Sequence, residues 1–505
     1  MRVTLVAALA AAGVTLALLA PSTPWRVWTG DTAEAQTVPY ILGIAHPTGF
    51  PAYVLLGWLW SHIVAVGTVA WRLNAFTLLC VALTSAGVVA LAAFMECNIV
   101  AALVAALAFA FGSVVRSEAV LANAQALAAL CAIWALAAAV LYARHGDRRA
   151  LIAACACAGL GLATHPATLW VLPAIAVAAL WQRRALTRRT AAIALLALGA
   201  PLLLYLYLPL RSTVVAAQHL DPTAAAPLFG AGSIDWDTNH PRTLDGFLTE
   251  VLGRDEHAGH ALARTLNLNV IPVAAALWYS FASRQFGLWF LLVAAAGTVA
   301  LAQRDRRALS VIAAGIIGGV AFASRYRRDE DLGWYLMLSF AATAALAAAS
   351  TRLTLPGVKA AQASIGAAVV LVVVTLLGRA DQPRTRNLMA LPGGTGIIAA
   401  VVRDTPDRAI VVASWYEAAA LGYGASVEHV LGSRTVVAGL PLQYVDRYPQ
   451  WTRTRRVIVY AGGSELNALT FALPSSFHER PSSDPFYRVF EIVVPPTRAG
   501  SSRSL

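Results

Sequence analysis

The chain has 505 residues, of which 58% are hydrophobic and 13% charged, and its mean hydropathy is +0.65. A soluble protein of this length carries about 25% charged residues, so the composition excludes an ordinary soluble domain. The net charge of +12 would suggest nucleic acid in a soluble protein, but here much of it lies in short loops between apolar runs, and no nucleic-acid partner is expected.

Apolar runs of roughly 18 residues or more, long enough to cross a bilayer core, recur along the chain. The first, residues 3–20, is too long for a signal-peptide core and ends in a poor cleavage site, so it reads as an uncleaved helix. Further spans are expected near 73–94, 99–115, 119–143, 150–164, 166–181, 190–210, 285–302, 308–323, 332–350 and 358–378. With the N-terminus inside, the arginine clusters at 144–149, 183–189, 304–307 and 352–359 all fall in the cytoplasm. Residues 266–282 are apolar enough to span, but counting them would put Arg304, Arg306 and Arg307 outside. They read instead as an interfacial helix on the outer face.

The outer segments are then 21–72, 211–284, 324–331 and everything after 378. The second of these carries many acids up to residue 256, with a helix expected from about 242 to 253. The tail changes character: 409–413 and 457–460 read as short buried strands with a helical stretch at 415–421 between them. The expectation is an all-α polytopic membrane protein with about eleven transmembrane helices. It divides into a membrane domain 1–378, a small extracytoplasmic α/β domain 379–495 and a disordered tail 496–505. Cys80, Cys97, Cys131, Cys155 and Cys157 lie in or beside apolar spans and form no disulfide framework or zinc motif.

The first outer segment holds the sharpest signal. Asp31 and Glu34 stand just beyond the first span, where a carboxylate is costly unless paired, hydrated or used. Three residues apart, they share a helix face, so one can stay ionised while the other holds a proton or an acceptor. The competing reading makes Asp31 a helix N-cap with Glu34 at N3. Three His-Pro dipeptides follow, His46-Pro47, His165-Pro166 and His240-Pro241, all on the outer side. A three-histidine metal site is weighed against helix-end histidines bonding the backbone that proline frees. No two of them have ligand spacing on one helix, which favours the second. Arg72, Arg116 and Arg211 lie at outer span ends, where an arginine binds a lipid phosphate or snorkels to headgroups. Residues 325–335 mix both signs beside aromatics, a self-paired loop or a site for an anionic headgroup with a sugar.

Gly30-Asp31-Thr-Ala-Glu34, followed by Leu42-Gly-Ile-Ala-His46-Pro47-Thr-Gly49-Phe-Pro51-Ala-Tyr53, resembles the signature of glycosyltransferase family 117. These are bacterial membrane proteins similar to the eukaryotic transmembrane O-mannosyltransferase. The usual pattern is Gly-Asp-Ser-Gly-Glu, then Leu-Gly-x-x-His-Pro-Pro-Gly-Tyr-Pro-Leu-Tyr, so Ala33, Thr48 and Phe50 depart from it. Arg72-x-Asn74, Gly161-Leu-Ala-Thr-His165, Tyr205-x-Tyr-Leu-Pro-Leu-Arg211 and Asp331-x-x-x-Tyr335 resemble later blocks, and Glu118 stands where the family usually has Glu-Val-Tyr.

The resemblance implies a GT-C glycosyltransferase of the bacterial plasma membrane, using a polyprenyl-phosphate sugar and an acid in the first outer loop. It implies mannose as the first sugar to test, and a protein or glycan hydroxyl as acceptor. Asp31 would be the general base, and Glu34 would orient the acceptor or help hold a cation. His46 and His165 would position the base or the phosphate, Arg72 or Arg211 would meet the leaving phosphate, and Asp331 and Tyr335 would bind substrate. Membrane lipid surrounds the whole. No cofactor follows with certainty; a divalent cation is the one candidate. A lipid-linked flippase is the competing class, but such proteins carry broken helices and midplane charge, whereas the spans here have almost no charge at their centres. A non-enzymatic assembly factor, with the tail binding a partner, is the third reading.

Overall fold

The computed structural model describes residues 2–218, 220, 236–254, 271–323, 332–354, 356–380, 393–462 and 477–493. Among them, the helices long and apolar enough to cross a membrane number six: Arg2–Ser22, Val69–Phe94, Ala124–His145, Arg188–Ala217, Arg306–Ala323 and Ala360–Leu377. The pair Pro272–Phe286 and Leu288–Arg304, bent by 111°, makes up to seven. The other expected spans form shorter helices: Ile99–Phe111, Arg148–Leu162, Pro166–Trp181 and Met337–Ala349. Each of the eleven expected spans therefore has a helix. Several are shorter than a full bilayer crossing because Gly112, His165-Pro166 and the turn before Met337 interrupt them.

Burial sorts the helices. Val69–Phe94 and Ala124–His145 are mostly enclosed, while Arg188–Ala217 and Ala360–Leu377 face outward along most of their length. Met337–Ala349 is buried at every residue, because its alanines let neighbouring backbones approach closely. The helix Ile271–Phe286 ends against the far end of Ile99–Phe111, where Gln285 Nε2 donates to Phe109 O at 2.8 Å. The chain then turns sharply at Gly287 into Leu288–Arg304.

One end of the bundle is closed by charge. Arg144 Nη2 meets Glu96 Oε1 at 2.7 Å and its Nε meets Asp305 Oδ2 at 2.7 Å. Arg352 reaches the same two acids at 3.4 and 3.6 Å. The loops after Phe94, His145, Arg304 and Ala349 thus meet at one end, as a common side for the arginine clusters requires. Asp305 and both arginines are nearly enclosed, so removing the acid leaves two cations to share the exposed Glu96. Asp305→Ala should destabilise the bundle by about 3 kcal/mol, read as a fall in the apparent melting temperature of the purified protein in detergent.

The opposite end carries two short helices of the first loop, Gly30–Ile41 and Pro51–Ile63, and the helix Leu244–Leu252. Ile44 N donates to Trp236 O at 2.7 Å, and Thr238 Oγ1 donates to Ile44 O at 3.2 Å, which sews the second loop to the first. The helix ending at Ala217 runs past Arg211, beyond the expected end of the span at 210.

The C-terminal part forms a sheet on this same end. Its strands are β1 (Ile410–Ala413), β2 (Thr435–Ala438), β3 (Val457–Gly462), β4 (Phe477–Arg480) and β5 (Tyr487–Ile492), in the order β2-β1-β3-β5-β4. β1 runs parallel to β2 and β3, and β5 runs antiparallel to β3 and β4. The fully buried Ile410–Ala413 and Val457–Ala461 make its centre. The helices Gly393–Asp404 and Trp415–Ser426 pack with it. The strand expectations at 409–413 and 457–460 and the helix at 415–421 correspond to β1, β3 and the start of Trp415–Ser426. The tail 496–505, residues 325–331 and 255–270, and all of 219–235 but residue 220 lie outside the described residues.

Candidate active site

The helix Gly30–Ile41 carries both first-loop acids. Its N-cap is Thr29, without a side-chain cap bond, so Asp31 falls in the first turn and the capping-box alternative does not hold. Gly30 sits at φ +57, and a Cβ there would come within 2.7 Å of the Tyr416 ring. The glycine before the acid is therefore required twice, by backbone and by space.

Asp31 Oδ1 accepts a hydrogen bond from Trp415 Nε1 at 2.8 Å, and Oδ2 takes none from the described residues. The positive end of the helix dipole lies beside it. Glu34, one turn on, is 2% exposed. It is fully engaged: Oε1 accepts from His46 N at 2.8 Å, and Oε2 pairs with His46 Nδ1. The two acids thus differ in kind. Glu34 fixes the His-Pro turn, while Asp31 keeps an oxygen for something else.

The turn itself is tight. Gly49 has φ +75, and a Cβ there would meet Leu208 at 2.8 Å and Glu250 Oε1 at 3.1 Å. Phe50, next in the chain, stands edge-on to His46 with ring centres 5.0 Å apart and stacks on His165 at 5.5 Å. His165 in turn meets Tyr335 at 5.4 Å and Phe322 at 6.1 Å. Trp415, His46, Phe50, His165 and Tyr335 form a continuous chain of rings. A narrow cavity beside it is lined by Asp31, Glu34, His46, Phe50 and Tyr53, with Asn123, Gln125 and Trp334 across from them. Trp334 Nε1 is buried without a hydrogen-bond partner among the described residues, a donor left for a ligand or a water.

His165 caps the turn Pro166–Val171, its Nδ1 accepting from Ala167 N at 3.0 Å. Burial, and then the nearby His46, lowers its pKa from the ordinary value to about 3. Unfolded imidazole titrates near ~6.5, so below that pH the unfolded chain takes up a proton that the folded chain refuses until about pH 3. Stability therefore falls as pH drops through that window. His165→Asn keeps a capping oxygen without the proton site. Wild type should lose apparent melting temperature more steeply than this variant between about pH 6.5 and 4.5.

The structure brings Asp31, Glu34, His46, His165 and Tyr335 into one region and leaves two expected residues out of it. Arg72 donates to the carbonyls of Ser61 at 2.9 Å and Gly67 at 3.1 Å, closing the end of Pro51–Ile63. Arg211 donates to Leu42 O at 2.6 Å and Ile41 O at 3.1 Å, closing the end of Gly30–Ile41. Helix ends leave carbonyls unpaired, and these guanidiniums take them. Arg211 also lines a separate cavity of ≈ 370 Å³ with Trp236, His429 and Arg434. It stands at the opposite end of the Asp31 helix, on the order of 15 Å from the acid. Asp331 lies outside the described residues. His240 pairs with Asp237 rather than with the other two histidines of His-Pro dipeptides, and no cluster of metal-ligating side chains forms among the described residues.

Sequence reasoning did not single out Trp415, Asn123 or Gln125, and reached Trp334 only as one of the aromatics of 325–335. Asn74, carried by the Arg72-x-Asn74 block, joins two segments of the site. Its Oδ1 accepts from Gln36 Nε2 at 2.9 Å and from Ala122 N at 2.8 Å, which ties the Asp31 helix to the turn that leads to Asn123.

Residues 31–188 match the family model of the protein O-mannosyl-transferase TMEM260 N-terminal domain. The chain is 27% identical over 300 residues to the protein O-mannosyl-transferase TMEM260 of Mus musculus, covering 56% of this chain and 39% of that protein. It is 40% identical over 47 residues to the Dictyostelium discoideum tmem260 protein, 9% of this chain and 6% of that one. The chain thus spans well under half the length of these curated relatives. Among solved structures, ArnT from Cupriavidus metallidurans bound to undecaprenyl phosphate aligns with a TM-score of 0.52 at 14% identity, covering 95% of this chain and 97% of that one. The Archaeoglobus fulgidus oligosaccharyltransferase aligns with a TM-score of 0.53 at 14% identity, covering 91% and 69%. The likeness read from residues 30–53 to O-mannosyltransferases is borne out, and the fold resembles that of ArnT and the Archaeoglobus fulgidus oligosaccharyltransferase.

Proposed function

We propose that this chain, similar in its N-terminal part to protein O-mannosyl-transferases and built on a GT-C fold, is a membrane glycosyltransferase. It moves a sugar, mannose the first to test, from a polyprenyl-phosphate donor to a hydroxyl acceptor on the face opposite the arginine clusters. Asp31 is the general base. It takes the acceptor's proton as the hydroxyl oxygen bonds to the anomeric carbon and the carbon–phosphate oxygen bond breaks. The observation that carries this reading is the Asp31 carboxylate, held at one oxygen by Trp415 and open at the other beside a cavity.

Glu34 and His46 act as a pair that fixes the floor of the site. His165, neutral by burial, and Tyr335 shape its far wall. The donor's lipid chain would run along the apolar helices, as undecaprenyl phosphate is the ligand in the ArnT structure that this fold resembles. Glycans of the cell envelope should be compared in a deletion strain carrying either the wild-type gene or an empty vector. A mannosylated glycoform restored only by the gene supports the reading; identical glycan profiles in both would sink it.

A further inference from the structure

We propose that the C-terminal part is a wall of the reaction site and that Trp415 is the positioning residue for Asp31. The inference rests on the reading of Asp31 as base and adds what sets that base in place.

Trp415 and Asp31 lie 384 residues apart in sequence and 2.8 Å apart in space. An indole N–H only donates, so the contact fixes the carboxylate by Oδ1 and leaves Oδ2 to receive a proton. The same ring stands edge-on to His46, with centres 6.3 Å apart, so it touches both partners of the first-loop site. The next residue, Tyr416, covers Gly30.

The helix that carries Trp415 is pinned along its length. Tyr423 Oη accepts from Ala70 N at 3.1 Å, and Ser426 Oγ accepts from Trp236 Nε1 at 3.1 Å. Gly394 N, on the neighbouring helix, donates to Val27 O at 2.9 Å. Two separate segments before residue 240 therefore hold Trp415–Ser426 directly, and a third holds the helix beside it. A rigid aromatic donor on an anchored helix restricts the carboxylate's rotation more than a flexible side chain would.

The test uses the purified full-length chain with a polyprenyl-phosphate sugar as donor. Trp415→Phe keeps an aromatic ring at this place and removes the N–H together with the five-membered ring that carries it. Its kcat should fall about tenfold or more, the scale of a misplaced catalytic group. Donor KM should stay within about twofold and the melting temperature unchanged. Added to Asp31→Asn, the same change should cost nothing further, because both act through one group. Tyr448→Phe removes a buried hydrogen bond to Pro441 O elsewhere in the C-terminal part, and should leave kcat within about twofold.

Wild-type kcat in Trp415→Phe, with Asp31→Asn inactive, overturns the positioning role and leaves the base standing. An equal kcat loss from Tyr448→Phe assigns the effect to a general disturbance of the C-terminal part and likewise overturns it. Should Asp31→Asn retain transfer, the base itself fails and the positioning role falls with it.

Discussion

Asp31→Asn should lower the rate of sugar transfer by about 10²- to 10⁴-fold, the range that general base catalysis supplies, while the protein still folds and inserts. The amide has the shape of the carboxylate, and its oxygen can still accept from Trp415 Nε1. What it loses is a basic oxygen at the position that takes no hydrogen bond from the described residues. The measurement is transfer by purified variant and wild type at matched concentration, with melting temperature as the control for folding. Near wild-type transfer by Asp31→Asn would reduce the acid to a helix-end charge.

Glu34→Ala should injure both stability and rate, and Glu34→Gln much less. Glu34 is buried and serves two groups of His46, its backbone N–H and its ring. Alanine leaves that backbone donor unpaired, a loss of about 1–3 kcal/mol, and frees the ring that borders the cavity. Glutamine keeps an oxygen for the N–H and an amide for a neutral imidazole. Thermal unfolding and transfer kinetics, measured together, separate the variants. Equal melting temperatures for wild type and Glu34→Ala would show that the pair does not hold the turn.

Much of this was legible in the sequence because bilayer physics writes in long runs. Every expected span has a helix, including 99–115 and 332–350, which shorten where glycine or a turn intervenes. Of the helix expected over 266–282, the described part begins at Ile271, runs to Phe286 and meets its successor at 111°. The block 30–53 led directly to the site, since its glycines, acids and His-Pro turn are each needed locally.

The rest depended on contacts that no local pattern carries. Arg72 and Arg211 looked like phosphate ligands because they stand at span ends, but span ends also expose carbonyls, and these took both guanidiniums. Trp415 reads as an ordinary residue at the start of a helix until the fold lays that helix on Gly30–Ile41. The strands β4 and β5 escaped notice because their mixed, half-exposed residues lack the apolar run that marks β1 and β3.

The central claim is that this chain breaks the bond between a sugar and a polyprenyl phosphate. The direct test places the purified protein in detergent, where no membrane separates two compartments, with polyprenyl-phosphate mannose labelled in the sugar. A transferase releases the label from lipid to a water-soluble or protein-bound product, and Asp31→Asn leaves it on the lipid. If wild-type protein binds the donor yet leaves every sugar attached, with hydroxyl acceptors from the cell envelope present, the chain moves lipid-linked sugars rather than transferring them, and the account fails.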